Sequence, residues 1–371
     1  MIPIYKPYLS KYKSSAINAI NSEWISNHGI YVDLATDKLK EIFDIKYCIL
    51  MNNGTSATHC MFKALKYKYP SINKIYIPNN VFIAPWNCGL NEYDISIFEV
   101  MKINKETLNI DTSEEYIKSL ENNSAVVIVH NLGQIINVPR LKSLRPDIIF
   151  IEDNCEGLFG KYNNIYTGTF EGTLCSAVSF YGNKNITTGE GGAFFTNDID
   201  IYKYIKTYYS HGMSDKRYIH NLLGTNYRMT NIQAGFLYDQ LNDIDSILSI
   251  KSTIFNNYKQ LLKELIENNN IKLLLSDKDT ESSYWIFVII IDNINYDDIE
   301  KYLYEKNIQI RPIFYDIHYH KHLSNIKKHE DDIFTKNITK NGIMLPSYPE
   351  LTYNEQKYIV SCINEFIKLN I

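Results

Sequence analysis

Apolar positions in this chain come in short unbroken blocks, each ending abruptly in polar residues. Tyr47-Cys48-Ile49-Leu50 runs into Asn52-Asn53-Gly54-Thr55-Ser56, and Lys74-Ile75-Tyr76-Ile77 into Pro78-Asn79-Asn80. Ala125-Val126-Val127-Ile128-Val129 runs into His130-Asn131, and Ile148-Ile149-Phe150-Ile151 into Glu152-Asp153-Asn154. Continuous β-branched runs of this length predict strands buried on both faces. Helical spacing lies between several of them, as in Ala57, Met61, Ala64 and Leu65 at i, i+4, i+7 and i+8. Strand–helix alternation predicts an α/β fold on a large, mainly parallel sheet. Ligands gather beyond the carboxyl ends of the strands in such sheets, and the polar clusters sit at those ends.

The pattern changes after Thr230. From there to about Ile266 it is helical, with Ile232, Leu237, Leu241, Ile244 and Leu248 on one side, until Asn268-Asn269-Asn270 breaks it. A strand-like run over 284–291 and a helix near 297–306 follow. This predicts a large domain over residues 1–244 and a smaller α+β domain over 245–371.

Composition narrows the classes. Of 371 residues, 45% are hydrophobic and 22% charged, and the net charge of -4 offers no broad nucleic-acid-binding face. No apolar run approaches the ~20 residues that cross a bilayer. The first residues lack the basic start and long apolar core of a signal peptide. The six cysteines are scattered without a C-x-x-C pair, which reads as buried thiols in a reducing cytoplasm (a host cytoplasm if the source is viral) and as no metal site.

Five constellations could carry chemistry. Asn53-Gly54-Thr55-Ser56-Ala57 lies between a strand and a helix, where free amides and the helix dipole would hold a phosphate; read alone, it is better taken as a capped strand-to-helix turn. Glu152-Asp153 ends an apolar strand, where a carboxylate could face a cationic ring nitrogen, or serve as a cap or metal ligand. Ser179-Phe180-Tyr181-Gly182-Asn183-Lys184 followed by Thr187-Thr188-Gly189-Glu190-Gly191-Gly192 is the most informative stretch. Its lysine, among small turn-forming residues, could reach inward and form a Schiff base, although most loop lysines are simply solvated. Gly224–Thr230 leads into the long helix. Gln309–His318 brings Arg311, Tyr315 and His318 together. There is neither a G-x-x-x-x-G-K-[ST] phosphate loop nor the G-x-G-x-x-G fingerprint a nicotinamide-dependent enzyme needs.

In this order, these pieces resemble the DegT/DnrJ/EryC1/StrS family of sugar aminotransferases, and within it the perosamine-synthase-type members. Also carrying the resemblance are Ile2–Pro7, Glu23-Trp24-Ile25-Ser26, Phe82-Ile83-Ala84, Val129-His130, Asn226–Thr230, Arg311-Pro312 and Gly342–Ser347. The resemblance implies a type I (aspartate aminotransferase-like) fold, pyridoxal 5'-phosphate as cofactor with pyridoxamine 5'-phosphate as its aminated form, and a homodimer with shared active sites. It implies Lys184 as the Schiff-base lysine and proton carrier, Asp153 against the pyridine nitrogen, Glu156 at the ring hydroxyl and Phe82 on the ring face. Gly54, Thr55, Ser56 and Ser179 would hold the phosphate, with Asn226 supplied by the other subunit. Trp24, Arg228, Tyr315 and His318 would meet substrate.

The implied reaction moves an amino group from L-glutamate, leaving 2-oxoglutarate, to the C-4 ketone of a nucleotide-linked 4-keto-6-deoxyhexose. Its product would be a 4-amino-4,6-dideoxyhexose of the perosamine or viosamine type. An aminotransferase acting at C-3 and a non-catalytic regulatory protein on the same fold are the alternatives. A related 3-dehydratase has histidine where Lys184 stands. Departures from the family pattern cluster on the substrate side: Asn154, Cys155, Trp86, Asn87, and a loop over 168–175 that aligns in two registers.

Overall fold

The computed structural model describes residues 1–326 and 332–370, so residues 327–331 and 371 of the expected smaller domain lie outside the described residues. Seven strands form the main sheet: β1 (Tyr47–Met51), β2 (Lys74–Pro78), β3 (Phe98–Met101), β4 (Ser124–Val129), β5 (Ile149–Asp153), β6 (Thr173–Ser179) and β7 (Gly192–Thr196). Their spatial order is β1-β7-β6-β5-β4-β2-β3. Strand β7 runs antiparallel to both neighbours, and all other pairs are parallel. Every residue of β4 and of β7 is buried. That explains their unbroken apolar sequences, since a strand covered on both faces has no solvent side to mark with polar residues.

The blocks end where they do because each strand delivers the chain to a turn at one edge of the sheet. Helix α1 (Gly54–Lys68) leaves β1 through such a turn. Asn53 caps it by accepting the Ser56 N–H at 2.8 Å. Its buried face includes Ala57, Met61, Ala64 and Leu65. Three clusters cover the sheet faces, around Ile49, Met61, Val127 and Phe194, around Leu39, Val178, Ala193 and Phe195, and around Tyr76, Val126, Ile128 and Phe150.

A second, antiparallel sheet follows: β8 (Lys272–Leu273), β9 (Phe287–Ile290), β10 (Arg311–Pro312) and β11 (Gly342–Leu345), ordered β8-β9-β11-β10. It has a core of its own around Phe287, Ile289, Ile343, Leu345, Ile359 and Ile363.

Three local differences from the sequence reading have physical reasons. The long helical pattern after Thr230 is three helices, α2 (Asn231–Leu241), α3 (Ile244–Leu261) and a short one at Lys263–Glu267. Thr230 opens the first with a capping box to Gln233. The run over 284–291 is a strand only from Phe287 to Ile290, because before it the backbone N–H groups of Tyr284 and Trp285 turn to the Ser282 and Ser283 hydroxyls. The chain's first residues lie on the small-sheet side: Ile2 donates to Asn307 at 2.7 Å and accepts from the Gln309 N–H at 2.9 Å. No helix among the described residues is long and apolar enough to cross a membrane.

Candidate active site

A cavity of about 740 Å³ opens at the carboxyl edge of the main sheet, between it and the small sheet. The ends of β5 and β6 bring their side chains together there. Asp153 pairs in register with Ala177, two residues before Ser179. The turn after β6, closed by the Lys184 N–H on the Tyr181 carbonyl at 2.9 Å, puts Lys184 on the same wall.

Asp153 is buried, and burial pushes its carboxyl above the ordinary range; the Cys155 N–H at 3.1 Å, Lys184 and Thr58 pull the other way. Glu156 is also buried. Desolvation raises it to about 7, against the opposing pull of Lys184 and of the Leu132 N–H, which donates to it at 2.8 Å. Lys184 thus faces two carboxylates that burial drives toward the neutral form. Among the described residues its Nζ has no hydrogen-bond or ion-pair partner; it lies 4.1 Å from the centre of the Trp285 ring. A lysine whose Nζ lies on an aromatic face with no acceptor engaged can give up its proton and present a neutral amine to an aldehyde.

The start of α1 adjoins these strand ends on the same wall. Among the described residues the N–H groups of Gly54 and Thr55 have no hydrogen-bond partner, which is the condition for holding an anion at a helix start. A side chain at Gly54 would come within 2.7 Å of Ser179 Cβ. The close approach of helix start and strand end therefore requires glycine.

Gly54, Thr55, Phe82, Asp153, Glu156, Ser179, Lys184 and Tyr315 all line the cavity. Phe82 is 53% exposed, so its ring is free to cover a bound planar group. Ser56 is behind this surface, its hydroxyl donating to Asn52 at 2.7 Å. His318 also lies off the lining. Its Nδ1 is 2.7 Å from Asp316, itself fully buried, and its side chain is 6% exposed. His320, two residues on, lines the cavity instead. Trp24, Asn226 and Arg228 are outside the cavity; Asn231, at the start of α2, bonds the Trp24 carbonyl at 2.7 Å and the Ser26 carbonyl through its backbone. Arg228 donates to Ser210 at 2.7 Å.

Trp285, Arg311, Tyr5, Tyr181 and His320 also line the cavity. Arg311 shared a motif with Tyr315 in the sequence; Tyr5 lay in a stretch that carries the resemblance and Trp285 in the strand-like run over 284–291, but neither was marked as a site residue, since they reach the site only through contacts across the whole chain. The loop over 168–175 is away from the cavity. Its Gly168 N–H and Thr173 hydroxyl both bond Glu152. Glu152 also accepts from His130 Nε2 at 3.0 Å, while His130 Nδ1 accepts the Ile136 N–H at 3.1 Å, which fixes the imidazole tautomer. Of the two adjacent carboxylates, Glu152 therefore serves the scaffold and Asp153 the cavity.

A lysine without a polar partner, a buried carboxylate beside it and a helix start with free amides fit pyridoxal phosphate, which has an aldehyde, a ring nitrogen and a phosphate to match them. The fold and site define a pyridoxal-phosphate-dependent transferase. The model of the DegT/DnrJ/EryC1/StrS aminotransferase family matches residues 10–364, and the chain belongs to that family. It is 31% identical over 370 residues to the GDP-perosamine synthase of Escherichia coli O157:H7, covering 98% of each chain. It is 30% identical over 373 residues to that of Vibrio cholerae, covering 99% of each. Among solved structures it superposes on Helicobacter pylori PseC, an aminotransferase involved in the biosynthesis of pseudoaminic acid, with a TM-score of 0.87, 22% identity and 99% of each chain covered. The chain is a pyridoxal-phosphate-dependent aminotransferase of sugar metabolism.

Proposed function

We propose that this enzyme moves the amino group of L-glutamate to the C-4 ketone of a nucleotide-linked 4-keto-6-deoxyhexose, releasing 2-oxoglutarate and a 4-amino-4,6-dideoxyhexose of the perosamine or viosamine type. The observation that carries the transfer is Lys184, without a polar partner, facing Asp153 and Glu156 in one cavity. The choice of sugar is supported by the names of the relatives from Escherichia coli and Vibrio cholerae.

Bound pyridoxal phosphate supplies an aldehyde that captures amines and a ring that accepts an electron pair. In this reading Lys184 holds the cofactor between turnovers, then takes a proton from the donor carbon and returns it at the other half of the reaction. Its reach to both carbons replaces a collision with bulk base. Asp153 keeps a ring nitrogen protonated, because a cation beside it relieves the cost of burying its charge. Glu156 meets the ring hydroxyl, Phe82 covers the ring face, and Gly54, Thr55 and Ser179 receive the phosphate, with Ser56 bracing the turn from behind. Tyr315 contacts the sugar nucleotide. Asn226, Arg228 and Trp24 lie outside this cavity, and the reading assigns them to the cavity of a second copy in a homodimer. His318 acts by fixing the loop that presents His320. The domains divide near residue 244, with the first few residues joined to the smaller one. The reaction is placed in the cytoplasm, a setting that suits a chain with six free cysteines, five of them buried.

The test is to incubate the holoenzyme with L-glutamate and GDP-, UDP- and dTDP-linked 4-keto-6-deoxyhexoses, and to locate the nitrogen in the product by mass spectrometry and NMR. Nitrogen at C-4 with one of them is expected. Nitrogen at C-3, or product from none, overturns the proposal.

A further inference from the structure

Among the described residues, Lys251 is the one buried basic side chain of the cavity lining, and the reading above does not absorb it. It sits midway along α3 and is 3% exposed. Its Nζ donates to the Trp285 carbonyl at 2.9 Å and to the Ser347 carbonyl. No carboxylate pairs with it among the described residues, and burial alone lowers its ammonium to about 7. Placing an ammonium there is expensive, so the two carbonyls it bonds must be costly to leave unpaired.

Their location explains why. The ladder between β9 and β11 ends at the pair Phe287↔Leu345. Beyond it the Phe287 N–H turns to the Ser347 hydroxyl at 2.9 Å. Trp285 and Ser347 lie opposite each other if this register is continued, and Lys251 bonds the carbonyls of both. Its ammonium takes the place of a further rung.

Trp285 is consequently held at three points. Lys251 holds its carbonyl, the Ser283 hydroxyl accepts its N–H at 3.3 Å, and its indole N–H donates to the Asn183 carbonyl at 3.0 Å. Its ring is stacked on Phe314, the planes 11° apart. Lys184 Nζ lies 4.1 Å from the centre of the same ring, and Asn183 immediately precedes Lys184 in the chain. One residue thus contacts the reactive lysine through its ring and that lysine's own turn through its indole N–H.

We propose that Lys251 is a positioning residue: by bridging the open end of the small sheet it fixes the Trp285 ring against which Lys184 is set. Lys251 belongs to the small-sheet side and touches neither Lys184 nor Asp153 through any contact in the structure, so its influence passes through Trp285. The inference rests on Lys184 as the point of cofactor attachment. Borohydride reduction of the wild-type holoenzyme followed by peptide mapping tests that assignment separately. A label on another residue would defeat the attachment, not the role of Lys251 in holding Trp285.

The experiment compares wild type, K251M, K251R and W285L in cofactor-free form. Two readouts are taken: the Trp285 indole N–H resonance, assigned by its loss in W285L, and the rate at which added pyridoxal phosphate forms its yellow adduct with Lys184. In K251M the indole signal should shift or broaden and adduct formation should slow by about tenfold or more, the scale of a misplaced reactive group. K251R, whose guanidinium can span two carbonyls, should recover most of both. W285L keeps the Lys251 bonds to backbone and should slow adduct formation at least as much as K251M. A K251M protein with lowered melting temperature but wild-type indole signal and adduct rate would overturn the proposal. So would a W285L protein that reacts at the wild-type rate, which decides the matter even if K251M does not fold.

Discussion

The two walls of the cavity are built differently. The wall on the main sheet presents Asp153, Ser179 and Lys184 from the ends of β5 and β6 and the turn after β6, with Glu156 just beyond β5. Three of these four side chains are buried, and the strands behind them are covered on both faces. The facing wall presents Arg311, Tyr315 and His320 from a two-residue strand and short turns; Tyr315 is 42% exposed. Arg311 lies over the Tyr5 ring, 5.2 Å from its centre, without an acid partner among the described residues. Reacting groups placed on rigid strand ends keep a fixed geometry, whereas recognition groups on short loops can change with the substrate. On this contrast, mutations on the sheet wall should damage the chemical step, and mutations on the loop wall should change substrate affinity.

The largest effect that would sharpen the contrast is at Lys184. Lys184→Ala should lower kcat by at least about a thousandfold with the melting temperature of the cofactor-free protein nearly unchanged. Rapid-quench assays and thermal melts check both, and a retained rate would place the chemistry elsewhere. Asp153→Asn should follow, with kcat about a hundredfold lower and KM for the sugar nearly constant, because the ring nitrogen loses its counter-charge. Phe82→Ala should weaken pyridoxal phosphate binding by roughly tenfold, measured by equilibrium dialysis, through loss of a covering ring. On the other wall, His320→Ala should raise KM for the sugar nucleotide about three- to tenfold with little change in kcat. A large fall in kcat there would erase the distinction between the two walls.

The smallest effect is a pH dependence. Glu156 is raised in the folded chain from 4.5 to about 7. A carboxyl so shifted holds its proton in the folded state at pH values where the unfolded chain has released it. Its contribution to stability is therefore full below about pH 4.5 and is lost as pH rises through 7. Glu156→Gln should remove that slope. Melting temperatures of the cofactor-free proteins from pH 4 to pH 8 should converge at the acid end and favour the variant at the upper end, and parallel curves would show that Glu156 is not titrating as described.

The sheet wall was readable from sequence for the same reason it is rigid. A doubly covered strand writes a continuous apolar run, and the polar residues that end it mark the edge where ligands gather, so Gly54, Asp153, Ser179 and Lys184 could be placed by position along the chain. The loop wall left little trace. His318 and His320 are equivalent by composition, and only the three-dimensional turn, with Asp316 claiming the first, decides which one meets the cavity. Trp285 read as one more member of an apolar strand. Its distinction comes from bonds to Asn183 and Lys251, which are distant in sequence. The adjacent pair Glu152-Asp153 was legible as a carboxylate at a strand end, and the division of labour between the two was not, because it depends on which side chain turns toward His130. The break at Asn242-Asp243 was hidden because apolar spacing continues through it.

The glycine block that does most to announce this family makes a different kind of statement. A side chain on Gly192 would meet the Asn53 carbonyl oxygen at 2.5 Å and the Val178 carbonyl oxygen at 2.8 Å; one on Gly191 would strike the Thr188 hydroxyl. Gly192 is a spacer between crowded main chains, and Gly191 leaves room for neighbouring side chains. A signature of that sort advertises the frame and is silent about what the frame is used for: an otherwise identical chain with histidine at 184 would still display it. Any catalogue of such proteins sorted by their glycines would file unlike chemistries on the same shelf, and would have to be re-sorted by the residue seven positions upstream of the first of that pair.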